Sequence, residues 1–349
     1  MKRNKSVELL RIILMVFIII HHCIINGYGL KNSLLEIKVV NGYDVFLGCL
    51  NSIVIIGVNV FFLISGYFKI KFSWKKLIRL LLDMYIYADT LTFFGIVFGI
   101  QPISIYTIKT LLFPFYGYWF VAVYLVIYIV SPVLNKGIET LGRKQAIILA
   151  IFFTGLFCVL NFVSEIRWLG LENGYSVMFG MYLYFIGRMM KKYSFLGGKR
   201  LLTCIKWVGC TMFTAIAVSL SIVIKQFELA WKLFSYNQIF ILFSAVFFLW
   251  IFISLPEQYI SEKVLMYSPH MLAVYYIHSS PAFSYFSNIL LRKIADSCVN
   301  WGVELIFLII YAIIICSVCA LVDVVKGKAL NQLEDRLSCS ITNYLGIAK

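Results

Sequence analysis

The feature that most constrains this chain is a series of long apolar segments that contain few charges. Each is close to the roughly 20 apolar residues that a helix needs to cross a bilayer. They are residues 7–26, 44–68, 77–100, 115–134, 145–163, 175–190, 201–224, 237–255, 270–291 and 301–325. Charged residues make up 13% of the chain, against about 25% in soluble domains. The sequence therefore predicts an all-α, polytopic integral membrane protein with about ten transmembrane helices, and it excludes a soluble or a disordered chain.

The basic residues fall unevenly on the two sides of the predicted spans. Ten spans put both termini on one side, and cytoplasmic loops collect Lys and Arg. With both termini cytoplasmic, 21 of the 31 Lys and Arg residues lie in inner segments and 8 in outer ones, while Arg11 and Lys206 lie within spans. The net charge of +15 is thereby explained by membrane topology, and nucleic acid is not expected as a partner.

This topology predicts a simple organisation. We expect a multi-pass protein of the cell membrane (plasma or inner membrane) whose lasting partner is the lipid bilayer. Residues 1–330 are expected to form one transmembrane domain, and residues 331–349 a short cytoplasmic C-terminal tail.

The first span carries ionisable residues on one helix face. Such groups are costly inside a bilayer and mark candidate functional sites. Glu8 and Arg11 are three residues apart and can pair. Arg11 and His22 share a face about 16 Å apart along the axis, whereas His21 points about 100° away. Two interpretations stay open: a snorkelling Arg with a hydrogen-bonded structural His, or a catalytic pair in which the His carries a proton.

The second span ends in small residues and leads into a strongly basic loop. Ser65 and Gly66 allow a backbone or a ligand to approach closely, although ordinary helix packing explains such residues as well. Asn59, near the middle of the span, needs hydrogen-bond partners. Lys76 and Arg79 are three residues apart, so we expect their side chains to lie together, where they suit a phosphate group. Contact with anionic lipid headgroups is the alternative.

The third span contains two carboxylates. Asp83 is placed to pair with Arg79 at a separation of four residues. Asp89 lies deeper without a local partner, so we expect it in a pair between helices.

Two later spans carry aromatic and imidazole side chains. Trp119, Tyr124 and Tyr128 in the fourth span either line a cavity or pack in an aromatic belt. In the ninth span His278 lies near Tyr275, as a site residue or as a buried structural His. Pro281 is expected to open the helix there, and the freed backbone groups then require a protein-lined cavity.

Several other site types are missing from the sequence. Cys316 and Cys319 form a C-x-x-C, but it lies within an apolar segment and has no second pair, so no metal site is expected. There is no P-loop, no G-x-G-x-x-G after a strand, no G-x-S-x-G and no H-E-x-x-H.

Taken together, the motifs resemble those of the acyltransferase 3 family of bacterial integral-membrane acyltransferases, particularly the compact members that modify surface polysaccharides. The resemblance runs from about residue 6 to about residue 325. Its elements, in chain order, are Arg11 and His22 with ten residues between them, F-F-x-x-S-G-[FY] at Phe61 to Tyr67, a loose match to R-x-x-R at Lys76 and Arg79, W-F-x-x-x-Y…S-P-x-L-N from Trp119 to Asn135, and Y-x-x-H at Tyr275 and His278.

The resemblance implies transfer of an acyl group, usually acetyl, from cytoplasmic acyl-CoA to a hydroxyl of a cell-surface polysaccharide or of its lipid-linked precursor. Acyl-CoA is then a co-substrate, and no tightly bound cofactor is expected. The implied site residues are His22, Arg11, Glu8 and His278 for catalysis, Lys76, Arg79, Ser65 and Gly66 for CoA, and Asn59, Trp119, Tyr124 and Tyr275 around the substrate. Because Lys is a point charge, Lys76 is not expected to hold a phosphate in a bidentate manner. His22 acts either as general base or through a transient acyl-His.

Two other function classes fit a chain of this kind. A transporter or flippase for a glycan or a small anionic solute also has many spans and buried charges, but the sequence shows no internal repeat and no paired broken helices. A membrane sensor or scaffold predicts no dependence on His22.

Overall fold

The computed structural model describes residues 3–164, 171–297 and 300–346, which form helices and no strands. The main helices are α1 Lys5–His22, α2 Gly42–Val54, α3 Gly57–Phe68, α4 Trp74–Val97, α5 Trp119–Thr140, α6 Arg143–Thr154, α7 Val177–Tyr193, α8 Arg200–Val223, α9 Ile239–Ile253, α10 Met271–His278, α11 Pro281–Ser297 and α12 Trp301–Tyr344. Short α-helical segments are Leu30–Asn32, Ile105–Leu112, Asn161–Ser164, Phe227–Lys232 and Lys263–Tyr267. Cys23–Gly27, Ser33–Ile37 and Gly155–Leu160 are π-helical, and Pro114–Tyr116, Glu172–Gly174, Glu257–Tyr259 and Ser268–His270 are 3₁₀-helical.

Several of these helical stretches are long and apolar enough to cross a membrane. In the described part of the chain there are seven: Lys5–Gly27, Gly42–Phe68, Trp74–Val97, Trp119–Thr140, Arg143–Ser164, Arg200–Val223 and Trp301–Tyr344. α9 is a shorter apolar helix. The predicted all-helical membrane fold is confirmed, whereas ten spans and cytoplasmic termini stay predictions.

Two of the predicted spans are broken helices. The span predicted at 44–68 is divided between α2 and α3, with a turn at Ile55 and Ile56. The span predicted at 270–291 is divided between α10 and α11, and α11 begins at Pro281. The helix break expected at this proline is present, because a proline supplies no backbone N–H and fits the first position of a helix.

Helix α1 lies at the centre of the bundle. It begins after Asn4, whose side-chain oxygen accepts a hydrogen bond from the backbone N–H of Val7 at 2.9 Å, as an N-cap residue does. It contacts α2, α3, α9, α10 and α12. Because α1 carries Arg11 and His22, this central position surrounds His22 with other helices and leaves the Arg11 side chain partly exposed, at 38%.

Helices α3 and α7 pack with their backbones in close contact. A Cβ atom on Gly66 would lie 2.0 Å from the carbonyl oxygen of Tyr184, and one on Gly187 would lie 2.2 Å from that of Leu63. Only glycine permits this approach, as in the small-residue interfaces of membrane helices. Gly66 therefore serves helix packing.

Helix α12 continues well past its apolar part, and polar side chains in its later turns contact α4. It runs to Tyr344, so the domain boundary predicted at residue 330 falls inside one helix. Its Lys326 pairs with Asp83 and, at 2.6 Å, with Glu334. The predicted pairing of Asp83 with Arg79 is wrong, because Lys326 from α12 neutralises Asp83 instead.

The two ends of the described chain lie on the same face of the bundle, which we call the N-terminal face. Arg79, near the start of α4, contacts Asp335 of α12 at 2.9 Å. Arg3 lies at this face beside Lys71, in the cleft described below. Some residues used in the predictions lie outside the described residues. They are Lys2, Arg167 and Lys349 from the count of basic residues, and residues 347–349 of the predicted tail.

Candidate active site

A basic cleft of about 450 Å³ opens at the N-terminal face between α1, α3, α4 and α5. The charged side chains that line it are Arg3, Glu8, Arg11, Lys69, Lys71 and Lys76. Three of the cations are paired, Arg3 and Arg11 with Glu8 at 2.7 and 3.9 Å and Lys69 with Glu139. In the part of the chain described, Lys71 and Lys76 form no ion pair, so the cleft carries net positive charge.

The cleft continues into the bundle as a narrower cavity of about 310 Å³. Both spaces are lined by Arg11, Ser65, Lys76, Tyr124 and Tyr128. Beyond these shared residues the walls become apolar and aromatic, with Met15, Phe61, Leu80, Phe120, Met271, Leu272 and Tyr275. The site therefore changes from cationic at its mouth to apolar at depth.

Arg11 lies where the two spaces join. The carboxylate of Glu8 accepts hydrogen bonds from Arg3 at 2.7 Å and from the Ser268 hydroxyl at 2.6 Å. Its distance to Arg11 Nε is 3.9 Å. Arg11 Nε is buried and has no hydrogen-bond partner among the described residues. A buried donor without a partner is costly. The Arg11 side chain as a whole is 38% exposed and lines the cleft, so the guanidinium can meet an anionic ligand there.

Two histidines meet behind the Tyr275 wall of the deep cavity, and neither of them lines the cleft or the deep cavity itself. The Nε2 atom of His278 lies 3.2 Å from Nδ1 of His22. The ring of Tyr275, which lines the deep cavity, packs edge-on against His278 with 6.0 Å between ring centroids. His278 is 4% exposed. The structure thus joins His22 and His278, which are 256 residues apart in sequence, and links them to the cleft through Tyr275.

His21 has a separate structural partner. Its Nδ1 lies 2.6 Å from the side-chain oxygen of Asn51 in α2. Its ring lies 5.8 Å from that of His22. The two neighbouring histidines therefore point to different helices, as their separation of about 100° on α1 predicts.

The basic loop between α3 and α4 is held in place by buried hydrogen bonds. Tyr184 accepts from the backbone N–H of Ile70 at 3.1 Å and donates to the side chain of Asn135 at 2.8 Å. Asn135 in turn donates to the carbonyl of Ile70 at 3.1 Å. Tyr128 accepts from the N–H of Ser73 at 3.1 Å. This network positions Lys69, Lys71 and the start of α4 at the cleft.

A comparison with known protein families decides between the function classes. The model of the acyltransferase 3 family, described as an acyltransferase domain, matches residues 4–321. The chain belongs to this family. No curated protein and no solved structure matches it. As a member of the acyltransferase 3 family, the protein is a membrane acyltransferase, and a transporter or a sensor is not supported.

Six residues predicted for the site of this acyltransferase line the cleft or its deep cavity. They are Glu8, Arg11, Ser65, Lys76, Tyr124 and Tyr275. Tyr128, which the sequence placed with Tyr124 as able to line a cavity, lines both spaces. Arg3, Lys71 and Phe120 also line them and were not predicted; the signal for Arg3 and Lys71 was their place in basic segments at the predicted inner side.

The expectation that Lys76 and Arg79 lie together on one phosphate is wrong. Lys76 faces the cleft, whereas Arg79 lines a different cavity on the other side of α4. There Arg79 donates to Asp335 at 2.9 Å and to Asn331 at 2.7 Å. Arg79 pairs with acidic residues on α12. The spacing of residues along α4 cannot predict a partner on another helix.

Besides His22 and His278, three predicted residues line none of the described cavities. Gly66 packs against α7, and Asn59 is fully buried, donating to the carbonyl of Tyr236 at 2.8 Å. Trp119 packs with Tyr175 at 4.6 Å and with Tyr236 at 5.8 Å between ring centroids. Asn59 and Tyr236 thus support the aromatic cluster that contains Trp119.

Two remaining expectations concern buried polar groups. The expected interhelical partner of Asp89 is not found in the described ranges, where its Oδ1 is buried without a hydrogen bond. Cys316 and Cys319 are free thiols. Across the residues described, no cluster of three or more His, Cys, Asp or Glu side chains is suited to a metal ion.

Proposed function

We propose that the protein is an O-acyltransferase that moves an acyl group, typically acetyl, from cytoplasmic acyl-CoA to a sugar hydroxyl. The acceptor is a cell-surface polysaccharide or its lipid-linked precursor. The enzyme acts as a multi-pass protein of the plasma (inner) membrane with its N-terminal face in the cytoplasm. The observation that carries this proposal is the basic cleft that narrows past Arg11 to Tyr275 and the His22–His278 pair.

The cleft suits the donor in both charge and shape. CoA carries several phosphate charges on its nucleotide and a long, weakly polar pantetheine arm that ends in the thioester. Lys71 and Lys76 supply unpaired cations for the phosphates, and the partly exposed guanidinium of Arg11 adds a third positive charge in the cleft. Charge-assisted hydrogen bonds to phosphate are the strong ones. The aromatic and apolar walls of the deep cavity then accept the arm and lead the acyl group toward the histidines.

His22 acts in this scheme as the general base. It removes the proton from the acceptor hydroxyl as the oxygen forms a bond to the acyl carbon. The bond from that carbon to the CoA sulfur then breaks, and His22 returns the proton to the departing thiolate. The products are the ester and free CoA thiol, so no other reactant is needed.

The aromatic cluster around Trp119 is the proposed location for the acceptor. It lies at the end of the bundle to which the C-terminal end of α1 points, and the ring of its Tyr236 is 6.3 Å from that of His21. Tyr175 in the cluster is 43% exposed. Exposed aromatic faces next to polar groups suit a ligand with an apolar ring face and a hydroxylated rim.

The proposed function is tested by the acetyl content of the surface polysaccharide. A deletion strain is complemented with the wild-type gene, with His22→Ala or with His21→Ala at matched expression. Proton NMR of the purified polysaccharide is expected to show acetyl signals with wild type and with the His21 variant, and none with His22→Ala. Restoration by His22→Ala would exclude His22 as the base, and unchanged acetylation in the deletion strain would exclude this acceptor.

A further inference from the structure

The hydrogen bonds of His278 determine which of its ring nitrogens carries a proton. Its Nδ1 lies 2.6 Å from the backbone carbonyl of Val274. A carbonyl oxygen only accepts hydrogen bonds, so Nδ1 must be the donor. In a neutral imidazole the other nitrogen is then an acceptor. His278 Nε2 therefore presents a lone pair.

This lone pair faces His22. Nε2 of His278 lies 3.2 Å from Nδ1 of His22, so a hydrogen bond between them requires a proton on His22 Nδ1. The neutral His22 ring then carries its own lone pair on Nε2. A chain of two hydrogen bonds, starting at the Val274 carbonyl, thereby assigns the tautomers of both rings.

The surroundings favour two neutral rings in the resting protein. In the described ranges neither ring has a carboxylate within ion-pair distance, and the ion pair found for a histidine is that of His270 with Asp323 at 2.6 Å. An isolated charge at this depth of a membrane protein is expensive. Instead, Nδ1 of His278 bonds to the Val274 carbonyl, and Nε2 of His278 and Nδ1 of His22 bond to each other.

We propose that His278 is a positioning residue that holds His22 in the Nδ1–H tautomer, so that Nε2 of His22 is the reacting nitrogen. This inference rests on the proposed role of His22. Once Nε2 takes the hydroxyl proton, His22 is an imidazolium whose Nδ1–H still donates to His278. The same contact therefore orients the base in the resting enzyme and stabilises it after proton transfer. The requirement holds equally if Nε2 acts as a nucleophile.

The first test reads the tautomer directly and needs no activity. The chain contains four histidines, so ¹⁵N-histidine labelling of the full protein in lipid nanodiscs gives a small set of signals. Comparison with His22→Ala identifies those of His22. We expect a protonated Nδ1 and an unprotonated Nε2 for wild-type His22. A protonated Nε2 in the resting protein would overturn the inference even if His22 proves essential.

The second test separates positioning from packing. His278→Gln retains an acceptor oxygen near the position of Nε2, whereas His278→Leu retains volume but no acceptor. Initial rates are followed as CoA thiol released from acetyl-CoA, with polysaccharide from the deletion strain as acceptor. We expect kcat to fall about 100-fold in His278→Leu with KM for acetyl-CoA nearly unchanged, as for other residues that orient a reactive imidazole. Partial recovery of kcat is expected in His278→Gln.

Matched variants distinguish the possible failures. His21→Leu removes a neighbouring buried imidazole with its own 2.6 Å hydrogen bond and is expected to retain most of kcat. If His278→Leu keeps kcat within threefold, or if Gln and Leu lose kcat equally while both proteins remain monodisperse, the positioning role is refuted. If His22→Ala itself retains transfer, the proposed function fails at His22, and the NMR result still reports on the tautomer.

Discussion

Replacing Gly66 by alanine tests whether the contact between α3 and α7 is as close as the structure describes. The added Cβ would lie 2.0 Å from the Tyr184 carbonyl oxygen and 2.8 Å from its carbon. A comfortable carbon–oxygen contact is about 3.3 Å, so the two helices must separate by roughly 1.3 Å. No flexible side chain can absorb the clash, because the opposing atoms belong to the backbone.

The magnitude follows from what this separation breaks. Overpacking of a well-packed interface costs about 1–3 kcal/mol. Displacement of Tyr184 also weakens its hydrogen bonds to Ile70 and Asn135, each worth about 1 kcal/mol. We therefore expect Gly66→Ala to lower the free energy of unfolding by about 3 kcal/mol. Because those bonds hold the basic loop, affinity for acetyl-CoA is expected to fall as well.

Thermal unfolding can be followed with a dye that fluoresces on reaction with thiols, since Cys23, Cys158, Cys316 and Cys319 are buried in the folded protein. A loss of about 3 kcal/mol corresponds to a decrease in Tm of about 5 °C. Gly209→Ala is the matched control: Gly209 lies within α8, where a Cβ atom would meet no other atom within 4 Å, and alanine there is expected to be neutral or stabilising. Equal Tm values for Gly66→Ala and wild type would refute the close backbone contact.

Two further predictions concern the cleft. Lys76→Ala is expected to raise KM for acetyl-CoA about tenfold, because it removes one charge-assisted contact. Arg79→Ala is expected to leave KM within twofold and to cost about 1 kcal/mol of stability, because its partner Asp335 lies outside the cleft. The reverse order of KM values would show that Arg79 binds the donor. Asn135→Ala removes two buried hydrogen bonds that hold Ile70 and Tyr184. It is expected to destabilise the protein by about 2–3 kcal/mol and to raise KM for acetyl-CoA. A destabilised variant with unchanged KM would show that the loop is positioned independently of Asn135.

The fold was accessible from sequence because its main signal is local. A segment of about 20 apolar residues predicts a membrane span without information from the rest of the chain. Each predicted span overlaps a described helix. The break at Pro281 is also local, since it follows from the chemistry of one residue. The turn at Ile55 and Ile56 carries no such residue, so the division of the second span into α2 and α3 was not predicted.

Ion pairs between helices that are distant in sequence were much harder to predict. Spacing on one helix correctly separated His21 from His22, because a helical rotation of about 100° per residue is fixed. It failed for Asp83 and Arg79, which obey the four-residue rule yet pair with Lys326 and Asp335 of α12. An ion pair within one helix contributes about 0.2–0.5 kcal/mol. A partly buried ion pair with a residue on another helix easily outweighs this contribution.

Helix α10 connects the two halves of the candidate site. The 3₁₀ turn before it brings Ser268 to Glu8 beside Arg11, its middle places Tyr275 in the wall of the deep cavity, and its last residue is His278. Its eight residues span about 12 Å, so α10 covers about three quarters of the separation of Arg11 and His22 along α1. Two adjacent helices thus present a cationic contact at one end and an imidazole at the other. His278 is the last residue of α10, so the helix break at Pro281 comes within three residues of the ring that contacts His22. The helix break is therefore part of the site, and shifting Pro281 along the chain would be expected to displace His278 while leaving the mouth of the cleft intact.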